Sequence, residues 1–147
     1  MKHIHPRFAL RGFKPGARGP GHVLGELEAK VMEILWSEAS QTVNEVEDQL
    51  RNGREIAHTT VLTTLDRMHR KGYLVRKKQG KAFVYSAQYS QEEFERGMAQ
   101  EVLGALLDHY TAPALSAFID LVGQDEQTLV QLEAMIREKR DERSLRK

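Results

Sequence analysis

Between residues 57 and 86 the sequence passes from helical to strand periodicity with almost nothing in between, and this junction most narrows the folds open to the chain. Val61, Leu65 and Met68 recur at i, i+4 and i+7, which places them on one face of a helix. Lys71-Gly72 stops that pattern, because glycine takes the left-handed C′ position without steric cost. Directly afterwards, residues 73–78 and 81–86 form two short segments rich in β-branched and aromatic side chains, separated by Gln79-Gly80. The spacing therefore predicts a helix over 57–71 that feeds straight into a β-hairpin.

Two further helices are expected before this junction. Leu24, Leu27, Val31, Ile34 and Leu35 recur at helical spacing over 24–36. Thr42-Val43-Asn44-Glu45 is a capping box, in which the Thr42 hydroxyl and the Glu45 carboxylate satisfy open backbone amides reciprocally, so a second helix starts there with Val43, Val46 and Leu50 inward. After the hairpin, Ser90-Gln91-Glu92-Glu93 is a second capping box, followed by the amphipathic stripe Phe94, Met98, Val102, Ala105 and Leu106. Pro113 suits the first turn of a shorter helix bearing Leu115, Phe118, Ile119 and Val122 and ended by Gly123. Asp125 is placed to cap a last helix with Leu129, Leu132 and Ile136 on one face, which is expected to dissolve into a mixed-charge tail over 137–147.

Charge is distributed more informatively than its total of +1. Residues 67–81 hold seven basic residues and no acid, whereas 90–136 is acidic, with Arg96 its lone cation. Residues 1–22 carry Lys2, Arg7, Arg11, Lys14 and Arg18 without an acid, hold three of the four prolines, and show no apolar periodicity. They read as a flexible basic arm, and Arg11-Gly12-Phe13-Lys14-Pro15 is compatible with an arm that follows a minor groove or with a plain tail. The expected organisation is an arm over 1–22, a first domain over 23–89 and a helical region over 90–147.

Three short helices followed by a basic hairpin is the element order of a winged helix-turn-helix, whose third helix enters the major groove of DNA while the wing meets the neighbouring backbone. The expected class is mainly α with a small β-hairpin wing. With Val61, Leu65 and Met68 turned inward, the opposite face of helix three presents Thr59, Leu62, Thr63, Asp66, Arg67 and Arg70. Threonine hydroxyls hydrogen-bond base edges or phosphates, and arginine reads guanine or binds phosphate. Asp66 fits a groove less well, and a pairing with Arg70 at i, i+4 keeps it off the DNA. In the wing, Arg76, Lys77, Lys78 and Lys81 surround a turn whose glycine permits close backbone approach to phosphate.

The stretch from Leu24 to Tyr85, with LGELEAKVMEILW, TVNEV, HTTVLTTLDRMHRKGYL and GKAFVY, resembles the penicillinase-repressor family, which includes the β-lactamase and methicillin-resistance repressors and copper-responsive relatives. The likeness continues more loosely to about residue 138, and the arm lies outside it. It implies a homodimer on a palindromic operator, with each winged-helix domain on one half-site and the C-terminal helices interlocked. It also implies operator contacts from Thr60, Thr63 and Arg67, with Thr59 nearby and Lys81 in the place of a wing arginine. Lysine there keeps the charge and loses the bidentate geometry. The family further implies a membrane-associated sensor protease as partner of the β-lactam-responsive members, which are cleaved in a region matching residues 107–110. Their asparagine-aromatic cleavage pair is not reproduced by Asp108-His109.

Other chemistry finds little support in the residues. The chain has no cysteine, which excludes the cysteine-rich metal motif of the copper-responsive relatives and any thiol nucleophile. His3 and His5 lie in the arm without a carboxylate, and His22, His58, His69 and His109 are scattered, so no metal site is expected. Without a phosphate-cradling glycine loop, an HExxH helix or a Ser-His-Asp set, neither an enzyme nor a cofactor is expected. No apolar run approaches the length of a membrane span and the start of the chain lacks a signal-peptide apolar core, so the reading is a cytoplasmic protein without membrane insertion. Two alternatives stay open: a winged-helix regulator released by a small ligand, and a winged-helix module used for protein contacts alone.

Overall fold

The structure, a computed structural model, describes residues 24–53 and 55–147; the expected arm over 1–22 lies outside the described residues. The elements in chain order are α1 (Glu26–Ser37), β1 (Gln41–Thr42), α2 (Val43–Leu50), α3 (His58–Arg70), β2 (Leu74–Gln79), β3 (Ala82–Ala87), α4 (Gln91–Val122) and α5 (Glu126–Leu145). The mainly helical class with a hairpin wing is as expected. The chain divides into two compact units, one ending at Val102 and the other spanning Leu103–Lys147.

In the first unit Val31 and Met32 of α1, Val46 of α2, Val61, Leu65 and Met68 of α3, and Phe94 of α4 are all fully buried. Each such side chain contributes about 1.5–3 kcal/mol on leaving water, several times the few tenths of a kcal/mol from a surface i, i+4 pair. Core burial therefore decides which face of α3 turns outward. Thr42 caps α2 as expected, its Oγ1 accepting from the Glu45 amide at 3.3 Å while a Glu45 carboxylate oxygen accepts from the Thr42 amide at 2.7 Å. The end of α3 is a Schellman motif: the Tyr73 amide donates to the Met68 carbonyl at 3.0 Å and the Gly72 amide to the His69 carbonyl at 3.1 Å, with Gly72 at φ 85°. That turn swings the chain directly into β2.

The sheet has three strands in the order β1-β3-β2, all antiparallel. β1 was not legible in the sequence, since two residues carry no periodicity; it exists because Thr42, at φ −74° and ψ 166°, is extended enough both to pair with Val84 and to cap α2. The hairpin turn is also one residue later than the spacing predicts. Gln79 pairs with Ala82, so the turn residues are Gly80 and Lys81, with Gly80 at φ 65° as the first central position of a II′-like turn requires.

Packing carries the first unit past the 89/90 boundary drawn from the sequence. Phe94, one turn into α4, lies edge-on to Trp36 at 5.3 Å and to Tyr73 at 5.9 Å between ring centroids. The Trp36 indole donates to the Tyr89 carbonyl at 3.0 Å, fixing the segment that leads into α4. Ser90 caps that helix as expected, its Oγ accepting from the Glu93 amide at 3.1 Å.

Within the second unit the helical run ending at Val122 is broken at Tyr110, whose φ of −137° and ψ of 49° are non-helical. Pro113 follows in the first turn after the break, where its missing N–H has no intrahelical acceptor to lose. The shorter helix expected there is thus present, but one residue rather than a loop separates it from the preceding helix. Asp125 caps α5, accepting from the Thr128 amide at 3.0 Å. α5 continues to Leu145, so the tail expected to dissolve is helical; alternating charges such as Lys139 and Glu142, 3.1 Å apart, support it where apolar periodicity does not.

Among the described residues of 103–147 none is buried. Leu103, Leu106, Leu107, Leu115, Phe118, Ile119, Leu121, Val130, Met135 and Ile136 are exposed in the single chain. By length and composition alone the Gln91–Val122 helix is apolar enough to cross a membrane, contrary to the expectation that no apolar run approaches that length: charges are sparse enough to raise the average hydropathy although Asp108 and His109 interrupt the run.

Candidate nucleic-acid interface

The outward face of α3 carries Thr59, Thr60, Leu62, Thr63, Arg67 and Arg70, all exposed. Thr64 is turned the other way: it is buried and its Oγ1 donates to the Thr60 carbonyl at 2.7 Å. Among the described residues, the side chains of Thr59, Thr63 and Arg67 have no hydrogen-bond or ionic partner, leaving two hydroxyls and a guanidinium available on successive turns.

Arg70 is placed differently from Arg67, although the two are three residues apart. Its Nε donates to Asp66 Oδ2 at 2.9 Å, the i, i+4 pairing that the sequence predicts. The other carboxylate oxygen, Asp66 Oδ1, accepts from Nη1 of Arg76 at 3.0 Å. Arg76 belongs to β2, so one carboxylate joins α3 to the wing. The Arg76 guanidinium also stands over the Phe83 ring, 4.4 Å from its centroid. These contacts leave their electrostatic signature: hydrogen bonding from Arg70, then Arg76, holds the Asp66 carboxyl below its ordinary value. The Tyr85 hydroxyl, followed by Asp66, holds Arg76 in its charged form above its ordinary value.

Strand register sorts the remaining wing cations. Arg76 lies opposite Tyr85 and Lys78 opposite Phe83, while Lys77 lies opposite Val84. Because side chains alternate across a strand, Leu74, Arg76 and Lys78 share the face that carries Phe83 and Tyr85, and Lys77 is on the other. Along the shared face the environment grades from buried Leu74 and Tyr85, through half-buried Arg76, to exposed Lys78 and Phe83 near the tip. Lys81 sits in the turn itself and is exposed. The structure thus brings Thr59, Thr60, Thr63 and Arg67 together on one helix face and puts Lys77, Lys78 and Lys81 around the wing tip. Arg70 and Arg76 converge instead on Asp66.

The start of α3 is held by a contact that sequence reading missed. Nδ1 of His58 bonds to the carboxylate of Glu47 on α2, which Arg51 also contacts. Glu47 is buried, and these partners, His58 foremost, hold its carboxyl below the ordinary value. No motif announces a pair eleven residues apart; a glutamate on the inward face of α2 was the one available signal. Among the described residues no group of three or more histidine, aspartate or glutamate side chains is arranged to hold a metal ion.

Comparison with known proteins places the chain among repressors. Residues 24–138 match the family model for the penicillinase repressor. The chain is 34% identical over 118 residues to the transcriptional regulator BlaI of Mycobacterium tuberculosis, covering 76% of this chain and 86% of that protein. It is 30% identical over 71 residues to the penicillinase repressor of Bacillus licheniformis, covering 48% of this chain and 56% of the relative. Among solved structures, the monomeric form of Bacillus licheniformis BlaI in complex with the blaP half-operator matches with a TM-score of 0.42 and 30% identity, over 48% of this chain and 85% of that one. The DNA-binding domain of the repressor BlaI matches with a TM-score of 0.44 at the same identity and coverage. With a family model matched over most of its length, this chain belongs to the penicillinase repressor family, whose members are transcriptional repressors and not enzymes.

Proposed function

We propose that the protein represses transcription as a cytoplasmic homodimer on a palindromic operator, each first unit reading one half-site. The observation that carries this reading is the pairing of a Thr59, Thr63 and Arg67 face on α3, unpartnered among the described residues, with a wing whose Lys77, Lys78 and Lys81 are exposed. The one acid on that helix face, Asp66, is already neutralised by two arginines. In this arrangement Thr59, Thr60, Thr63 and Arg67 meet base edges and phosphates in the major groove, and the wing lysines meet the backbone beyond it. Arg70 and Arg76 serve the interface through Asp66. The DNA complex of the Bacillus licheniformis relative supports the same partner.

The second unit supports the dimer. Its apolar side chains are too numerous and too contiguous along the helices to remain in water, and a second copy covers them symmetrically. Selection of bound sequences from a random duplex pool tests the whole reading. The expected product is an inverted repeat bound with steep salt dependence; enrichment of no sequence would overturn it. Release of the repressor by a membrane-associated sensor protease rests on the family likeness alone.

A further inference from the structure

We infer that Asp66 is a positioning residue that sets the selectivity of the interface: by holding Arg70 and Arg76 it ties the wing to α3 and withholds two guanidinium groups from DNA phosphates. This inference rests on the DNA-binding reading. Its basis is the division of labour between the two carboxylate oxygens, Oδ2 taking Arg70 and Oδ1 taking Arg76. Arg76 is further seated over Phe83, so the wing strands and the recognition helix meet at one acidic side chain.

The consequence follows from how cations and bases divide the work of binding. Contacts to phosphate are blind to sequence and raise affinity for every duplex, each adding about 0.9 to the salt slope, whereas contacts to base edges discriminate. A basic surface of Arg67, Arg70, Arg76, Lys77, Lys78 and Lys81 with every charge available would bind indiscriminately. Asp66 removes two of the six while leaving the exposed threonines and Arg67 unchanged. A partly exposed ion pair contributes little to folding, so Asp66→Asn is expected to keep the fold while releasing Arg70 and loosening Arg76, which Tyr85 and Phe83 still seat.

The test measures affinity and salt slope on two duplexes, a random-sequence mixture and the best sequence recovered from the random pool. Asp66→Asn is expected to bind the random mixture about tenfold more tightly, with a slope steeper by about 1 to 2, and to lose selectivity by a similar factor. In an Arg70→Gln/Arg76→Gln background the same change is expected to have no effect on slope. As a check independent of that variant, Arg76→Gln alone should leave the slope unchanged while Lys77→Gln makes it shallower by about 1. An unchanged Asp66→Asn protein, the same gain in the arginine-free background, or an Arg76→Gln slope that falls like that of Lys77→Gln would each overturn the inference. Failure of the native chain to bind either duplex would instead overturn the DNA-binding reading on which it stands.

Discussion

The carboxylate of Glu47, on α2, is hydrogen-bonded to Nδ1 of His58, the first residue of α3. The two helices of the helix-turn-helix are therefore joined at the point where the recognition helix begins, by a carboxylate that is 5% exposed. An ionised group so far from water needs such partners, and Arg51 supplies the second.

Acid stability should report this contact. The native Glu47 carboxyl titrates below its unfolded value, so its contribution is present above the ordinary carboxylate range and is lost as pH falls through the lowered native value. Glu47→Gln preserves shape and removes the titration. Between about pH 5 and about pH 3 the melting temperature of the native chain should fall more steeply than that of the variant. Parallel curves would show that Glu47 is not linked to folding.

Phe94 closes the core of the first unit from α4, and Phe94→Ala should destabilise that unit by about 3–5 kcal/mol through the cavity left beside Trp36 and Tyr73. The lone tryptophan is the reporter. Denaturant titration followed by Trp36 fluorescence should show an earlier midpoint, and a native-like midpoint would mean that α4 folds apart from the winged helix.

Arg67→Ala should weaken binding to the selected duplex by about 1–3 kcal/mol, with loss of base preference at one position of each half-site if the guanidinium reads a base. Fluorescence anisotropy on single-base variants of the duplex distinguishes base contact from phosphate contact. Unchanged affinity for all of them would remove Arg67 from the interface.

Phe118→Asp places a charge in the exposed apolar surface of the second unit. Sedimentation at micromolar concentration should give a dimer for the native chain and a monomer for the variant, accompanied by weaker operator binding because each half-site is then held alone. A variant that stays dimeric would locate the interface elsewhere.

Much of this architecture was legible in the sequence because it follows from local rules. Capping at Thr42, Ser90 and Asp125, the stop at Gly72 and the inward stripe of Val61, Leu65 and Met68 each depend on residues within about two turns of one another. The outward threonines and Arg67 follow from that stripe by geometry, so the helix part of the candidate interface was readable too. Errors of one residue, as at the Gly80-Lys81 turn, arose where neighbouring positions offer equal turn chemistry and only strand pairing decides between them.

Tertiary structure decided which charges are available. In the sequence the i, i+4 spacing already pairs Arg70 with Asp66, but Arg67 and Arg76 are equivalent cations in an acid-free run, and nothing in their spacing separates those two. They part because the Schellman turn at Gly72 folds β2 back along α3, bringing Arg76 to a carboxylate ten residues earlier, while Arg67 has no ionic partner among the described residues. The same holds for Glu47 and His58, whose pairing needs the angle between two helices. The sequence by itself determined the helix starts, the hairpin and the inward faces, since capping and periodicity act locally; packing across elements determined β1 and which polar groups are spent on the fold and which remain for DNA.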